Sequence, residues 1–284
     1  MPRLSVILLT FNEEKNIEAC LDSLQALAGV PIFVVDSGST DRTLEVLAAR
    51  KVVVAKHAFE NYAQQRNWAQ ENAPFQTEWV LHIDAGERLT PELAQWLNHS
   101  FDPDTTANGF MFSRRTFFMH RWIRFGGHYP NFHLRLFRHA SGHCEAKAYD
   151  QHFVCEGQVE QVPAGIDFMD HVAHNLSEFT SGHCRWALAE ALERATATGP
   201  EGEVSARIDG TAIERRRWWK THLFDRSPLF LRAFLYFFYR YFIRLGFLDG
   251  VPGLIFHFLQ ACWFRFLVDA MEYEIRQQKQ ASKS

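Results

Sequence analysis

The sequence predicts an α/β protein with a mostly parallel sheet, followed by a C-terminal pair of amphipathic helices. Three observations carry this. Over roughly the first hundred residues, short apolar runs alternate with stretches of helical periodicity, the pattern of βαβ units. Each apolar run ends in a polar loop. Finally, the composition shifts near residue 215, beyond which Phe, Trp and Tyr crowd into residues 218–273.

The elements follow in order. Leu4–Thr10 is the first strand, and a helix opens after Asn12 and Glu13 with Ile17, Leu21, Leu24 and Leu27 at helical spacing and Gly29 as its cap. Residues 31–35 form strand two, which ends in Asp36-Ser37-Gly38-Ser39-Thr40; Asp41 then caps a helix to about Arg50, and residues 52–55 form strand three. A helix over residues 62–71 leads to strand four at 79–83. That strand stops at Asp84-Ala85-Gly86-Glu87, before a helix with Pro91 at its first position. From Gly109 to Asp170 short strands, glycines and many His and Arg residues predict an irregular second half, and residues 196–210 read as a linker.

At 284 residues the chain has ample material for a buried core. A net charge of -3 gives no global reason to bind nucleic acid, which needs a concentrated basic surface. The five cysteines form no CxxC pair and no secreted disulfide framework, which points to a reducing compartment. The N-terminal apolar stretch is too short for a signal-peptide core and reads as a strand.

In an open α/β sheet, ligands bind outside the C-terminal ends of the strands. Three loops lie there: Thr10 to Glu13, Asp36 to Asp41 and Asp84 to Glu87. The motifs Thr10-Phe11-Asn12-Glu13-Glu14, Val35-Asp36-Ser37-Gly38-Ser39-Thr40-Asp41 and His82-Ile83-Asp84-Ala85-Gly86-Glu87 resemble, in order and spacing, those of family 2 inverting glycosyltransferases. The resemblance implies a GT-A-type nucleotide-sugar-binding fold and a UDP-sugar donor held by Thr10, Asn12, Glu13, Asp36, Ser39 and Arg66, with Asn67 beside Arg66. It also implies that Asp84 meets the diphosphate through a divalent cation, Mg2+ or Mn2+, which offsets the charge growing on the leaving group.

The third motif departs from the family's two aspartates one residue apart, because Gly86 stands at the second. Glu87 is the alternative oxygen ligand, directly or through water, and His171 matches a position able to touch metal or diphosphate. An inverting transfer also needs a general base at the acceptor hydroxyl. The resemblance puts it between Glu145 and His152; related envelope enzymes carry a His-Glu pair that falls by spacing on Asp150-Gln151, so Asp150 is the expected base and Glu145 the second choice. Arg135-Leu136-Phe137-Arg138 resembles a family stretch whose basic side chains, Arg135 and Arg138, approach acceptor or diphosphate. The histidines form no recognisable four-ligand zinc set.

Between Ser227 and Leu245 the chain is almost wholly apolar except for Arg232, Arg240 and Arg244, which share one helical arc. Three arginines make a bilayer span costly. A helix in the headgroup plane is expected instead, its aromatics in the acyl boundary and its arginines on lipid phosphates, with residues 254–271 as the second helix of the pair. Tyr239-Arg240-Tyr241-Phe242, Gly246 to Gly250 and Trp263 to Asp269 resemble bacterial lipopolysaccharide-core and exopolysaccharide glycosyltransferases.

The expected organisation is thus a catalytic domain over 1–215, with a nucleotide-sugar-binding half at 1–100 and an acceptor half at 101–215, and a membrane-associating segment at 216–284. The expected activity is inverting hexosyl transfer to a lipid-linked or cell-envelope glycan, by a peripheral protein on the cytoplasmic face of the inner membrane. Gly86 and Gln151 motivate the alternative, a catalytically silent nucleotide-sugar-binding scaffold. The acidic loop after strand one argues against a nucleotidyltransferase, which needs a basic phosphate grip there.

Overall fold

The computed structural model describes residues 3–147, 150–196, 204 and 206–282. Most of the linker expected at 196–210 therefore lies outside the described residues. By packing, the described residues separate into two units, one from 3–115, 131–146 and 151–170, the other from 116–130, 147, 150 and the residues from 171 onward. A linear boundary near residue 215 does not reproduce this division.

The first unit is the α/β body. Its strands are β1 (Leu4–Thr10), β2 (Ile32–Asp36), β3 (Val53–Lys56), β4 (Trp79–Asp84), β5 (Glu87–Leu89), β6 (Gly109–Phe118), which runs on into the second unit, and β8 (Phe132–Arg138). They are joined by β11 (Val159–Gln161) and β12 (Asp167–His171), and β7 (Arg121–Ile123) extends β6 in the second unit. The sheet order is β3-β2-β1-β4-β8-β6-β12-β5. The first four strands are parallel; β8 turns the sheet antiparallel against both β4 and β6. This is why the first hundred residues read so plainly: β1 is flanked by parallel neighbours on both edges and buried at all seven positions, and so must be a continuous apolar run.

Helix α1 (Ile17–Leu24) buries Ile17, Cys20, Leu21 and Leu24, one stripe at helical spacing. Next come α2 (Thr43–Ala49), α3 (Tyr62–Glu71), whose Asn61 cap accepts the Gln64 N–H, and α4 (Pro91–His99), whose Thr90 cap accepts the Leu93 N–H. The core joins Val6, Leu8, Leu21, Trp79, Leu81, Phe112, Leu136 and Phe168. Each large side chain there contributes about 1.5–3 kcal/mol by leaving water. A separate hairpin pairs β9 (Gly142–Cys144) with β10 (Phe153–Cys155).

The second unit is mainly helical: α5 (Leu176–Thr196), α6 (Ala212–Trp219), α7 (Leu231–Phe238), α8 (Gly250–His257) and α9 (Phe264–Ala281). Thr211 and Glu214 form a reciprocal capping box at the start of α6. One helical run, Gly246–Ala281, is long and apolar enough to cross a membrane by length and composition.

The expected outward arginines are corrected here. Arg232 is 3% exposed and its Nε lies 2.9 Å from Asp269 Oδ1; Arg240 is 6% exposed and donates to the Gly126 carbonyl at 2.9 Å and to His128 Nδ1 at 3.0 Å. An unpaired buried charge is costly, and the inward carboxylate and carbonyl supply the partners that these buried guanidinium groups need. Only Arg244 is exposed, beside the Tyr239 hydroxyl. The outer face is instead apolar, with Leu231, Phe234, Leu235, Phe238, Phe242 and Ile243 all about half exposed.

Candidate functional site

The loops after β1 and β2 are laced together. Asn12 adopts a left-handed backbone, φ 54°, which its short amide side chain tolerates. Its N–H donates to Ser39 Oγ at 2.8 Å and its Oδ1 accepts the Thr40 N–H at 2.8 Å. Asp36, fully buried at the end of β2, accepts the N–H groups of Gly38 and Ser39, both at 2.9 Å, and the Ser39 hydroxyl. Gly38 at φ 95° allows that tight turn. The Glu13 N–H reaches Thr43 Oγ1 at 2.8 Å, and Glu13 Oε2 accepts from Asn16 at 2.7 Å. Thr10 Oγ1 is buried with no hydrogen-bond partner among the described residues. Thr10, Asn12, Glu13, Asp36 and Ser39 thus occupy one ledge at the C-terminal ends of two neighbouring parallel strands.

Beside this ledge β4 ends at Asp84. Nη2 of Arg66, on α3, lies 3.2 and 3.1 Å from its two carboxylate oxygens, and Nη2 of Arg135, on β8, lies 3.3 Å from Oδ2. Burial pushes the Asp84 carboxyl up, but Arg66 and Arg135 more than reverse this and hold it well below the usual carboxylate range. Glu87 behaves oppositely: burial pushes it above its ordinary value, with Arg135 opposing. Its Oε1 is 2.6 Å from Arg135, and its Oε2 accepts the Asp84 N–H at 3.0 Å. With its side chain 3% exposed, Glu87 anchors Arg135 and the Asp84 backbone instead of presenting a free oxygen to a metal.

Arg114 completes the network, 3.3 Å from Asp170 and 3.8 Å from Glu87. Nothing in the residue order singles it out beyond an ordinary Arg pair on a strand. His82, buried behind Asp84, is held neutral by burial and by Arg66 and Arg135, and its Nε2 is 3.2 Å from Gln70 Oε1.

Arg138 does not reach the site. The antiparallel register sets it opposite Trp79, at the other end of β4 from Asp84, about 15 Å away at the rise of a strand. There it pairs with Glu78, donates to the Thr105 carbonyl at 2.6 Å and lies over the Trp79 ring. Asn67 bonds the Cys144 backbone in both directions, at 2.9 and 2.8 Å, tying α3 to β9.

The two candidate bases differ in setting. Glu145 is fully buried in the first unit and accepts the His152 N–H at 2.9 Å, with His152 Nδ1 at 3.2 Å. Asp150, in the second unit, has a 38% exposed side chain whose Oδ2 is 2.7 Å from Lys220 Nζ; the adjacent Tyr149 lies outside the described residues. His171 stacks on Phe117 in the second unit, ring centroids 5.1 Å apart.

Among the described residues no group of three His, Cys, Asp or Glu side chains is arranged to hold a metal ion. For a divalent cation the fitting protein ligand is Asp84, the partly exposed carboxylate, with substrate and water oxygens completing the shell. Mg2+ accepts such a shell.

Residues 5–144 match the family described as Glycosyl transferase family 2. A Rickettsia bellii protein named as an uncharacterized glycosyltransferase is 28% identical over 119 residues, 42% of this chain and 40% of that one. The Rhizobium meliloti lipopolysaccharide core biosynthesis glycosyltransferase LpsC is 28% identical over 172 residues, 57% of this chain and 61% of that one. The chain thus spans from about two fifths to three fifths of the length of these relatives. Among solved structures, the mannosyltransferase PcManGT from Pyrobaculum calidifontis, in complex with GDP-Man and Mn2+, shares the fold with a TM-score of 0.51 at 16% identity, over 96% of this chain and 87% of that one. Strand order, loop motifs and family match agree: residues 5–144 are a glycosyl transferase family 2 domain, built on a GT-A-type α/β fold.

Proposed function

We propose that this protein transfers a hexose from a nucleotide diphosphate, UDP, to a lipid-linked or cell-envelope glycan, with inversion at the anomeric carbon. The observation that carries this is the Asp84 carboxylate at the end of β4, held by Arg66 and Arg135, which keep its pKa below the usual carboxylate range. A group held ionised in this way suits a cation and a diphosphate, and has no use as a proton donor.

In this assignment the ledge of Thr10, Asn12, Glu13, Asp36 and Ser39 takes the nucleoside. Carboxylate and hydroxyl oxygens there match ribose and base hydrogens, and the unpartnered Thr10 hydroxyl has hydrogen-bonding capacity to spare. Arg66 and Arg135 face the diphosphate as guanidinium forks. A divalent cation, when bound, is held by Asp84 and neutralises charge on the departing diphosphate. Arg66, Arg114 and Arg135 are already balanced by Asp84, Glu87 and Asp170; the two negative charges of an incoming diphosphate need a counter-charge that this network lacks.

The base is Asp150, with Glu145 second. It takes the proton from the acceptor hydroxyl, the freed oxygen bonds to the anomeric carbon from the face opposite the diphosphate, and the carbon–oxygen bond to UDP breaks with its electron pair leaving on UDP. Asp150 is the better candidate because its carboxylate is accessible, whereas that of Glu145 is fully buried. The name of the Rhizobium meliloti relative supports an envelope acceptor, and the half-exposed apolar face of the second unit supports work at a membrane surface, which we assign to the cytoplasmic face of the inner membrane.

The test is UDP release by the purified protein given a panel of UDP-sugars, a membrane lipid extract and Mg2+ or Mn2+, comparing wild type with Asp84→Ala and Asp150→Asn. Acceptor-dependent release lost in both variants supports the transferase with these assignments. Donor binding without release from any lipid replaces it with a silent nucleotide-sugar-binding scaffold.

A further inference from the structure

Within the second unit, the turn between β6 and β7 is Met119-His120, both residues at positive φ, 49° and 61°. Such a turn ordinarily takes Asn or Gly. Here it places His120 in the wall of a cavity of about 400 Å3, lined also by Arg121, Trp122, Arg124, Phe125 and Asp249.

The charge of this cavity is one-sided. Asp249, its one acidic wall, is 1% exposed, and its carboxylate is taken up by the backbone N–H groups of Arg124 and Phe125 at 2.9–3.2 Å. Arg121 and Arg124 are exposed, and neither guanidinium has a carboxylate partner among the described residues; Arg124 lies over the Trp122 ring at 5.4 Å. Apolar side chains continue from the Asp249 wall: Phe247 is 44%, Leu248 46% and Val251 69% exposed.

We infer that this cavity binds the phosphate headgroup of an anionic membrane lipid, with Arg121, Arg124 and His120 on the phosphate and Phe247, Leu248 and Val251 in the acyl boundary. An unneutralised pair of arginines beside exposed apolar residues is complementary to an anionic amphiphile. A second copy of this chain is a poor occupant, since a two-fold interface would face these arginines with their own mates. The inference deepens the membrane placement proposed above and is independent of the transfer chemistry.

The experiment is flotation of the full chain with vesicles of phosphatidylcholine alone or mixed with phosphatidylglycerol, for wild type and the double variant Arg121→Gln, Arg124→Gln. Thermal melting confirms that both variants are folded, and calorimetry with glycerol phosphate is run in parallel. The expected result is binding that requires phosphatidylglycerol and weakens about 30-fold in the double variant, taking about fivefold per surface arginine. Val251→Ser combined with Leu248→Ser weakens it as well. Equal binding to both vesicle types, or an unchanged double variant, overturns the inference. Glycerol phosphate bound in solution with no vesicle binding also overturns it, by identifying a soluble phosphate ligand. Retained UDP release in a variant that no longer floats separates failure of the lipid site from failure of the transferase assignment.

Discussion

Arg66 holds Asp84 at two points, its Nη2 lying 3.2 Å from one carboxylate oxygen and 3.1 Å from the other. The contact joins α3 to the C-terminal end of β4. With Arg135 on the opposite side, it fixes the carboxylate orientation before any ligand arrives, and orienting costs already met in the free protein are not charged against donor binding.

Arg66→Ala is therefore expected to lower kcat/KM for UDP release by about 10²–10³-fold, the usual cost of removing one preorganised charge from a site of developing anion. Arg66→Lys keeps the charge but loses the planar fork, and recovers only part of the loss. Steady-state UDP release at saturating acceptor measures both. Arg66→Ala within threefold of wild type would leave Arg66 a purely structural partner of Asp84.

Arg135 and Arg138 show where the sequence stopped being legible. In the one-dimensional text they are equivalent members of Arg-Leu-Phe-Arg. What separates them is the antiparallel register of β8 on β4, which sets Arg138 opposite Trp79 and carries Arg135 towards Asp84. Register depends on long-range pairing, which no local pattern encodes. The arginines of the second unit failed in the same way: a helical wheel shows that Arg232 and Arg240 share an arc, but not that the arc faces inward. Asp269, which decides it, lies 37 positions away. By contrast, β1, β2, β4 and their loops were readable because parallel strands buried on both faces must be apolar throughout and must end where the chain turns polar.

Metal removal gives the second prediction. Because Arg66, Arg114 and Arg135 are matched by Asp84, Glu87 and Asp170, chelation with EDTA is expected to cut UDP release by at least about 10²-fold, and Mg2+ or Mn2+ to restore it. Asp84→Asn is expected to raise the cation concentration needed for half-activation by about tenfold, one lost carboxylate being worth roughly 1.4 kcal/mol at such a site. The same variant binds UDP in EDTA at least as well as wild type, because a negative charge has gone from beside the diphosphate. Titration of activity against metal, and calorimetry in EDTA, read the two effects. Full activity in EDTA would mean that the guanidinium groups alone carry the leaving group.

The third prediction concerns acid stability. His257 is fully buried, and both ring nitrogens lack hydrogen-bond partners among the described residues. Burial, with Arg240 adding to it, pushes its pKa down from 6.5 to about 3. The folded state thus refuses a proton that the unfolded state accepts below pH 6.5, so proton linkage at this residue contributes nothing at neutral pH and removes stability as pH falls towards 3. The slope is about 1.4 kcal/mol per pH unit once the unfolded imidazole is charged. His82 and His183 are lowered by burial as well and add slopes of the same sign. His257→Leu should reduce the total by one proton's worth between about pH 6 and pH 4. Urea melts across that range test it, and an unchanged slope would show that His257 is protonated in the folded state.

The last prediction returns to Arg232. Asp269 accepts both its guanidinium and the Phe230 N–H at 2.7 Å, where Phe230 stands at φ 65° before α7. Asp269→Ala takes the nearest carboxylate from a buried cation, leaving Glu272 at 3.7 Å and Asp225 at 3.9 Å, and strands a backbone donor, at a cost of about 3 kcal/mol. For a chain of this size, that lowers the midpoint of thermal unfolding by roughly 10 °C. Replacing both partners by apolar side chains, Arg232→Met with Asp269→Leu, should restore part of the loss, because both charges of the pair go together, while Glu272 stays buried beside them and the Phe230 N–H stays without its acceptor. Circular dichroism melts of the three proteins decide between two structures of this helix. A single variant that melts at the wild-type temperature would mean that Arg232 swings out to solvent at little cost, restoring to it the lipid-facing position that its helical arc suggests and its buried pairing with Asp269 denies.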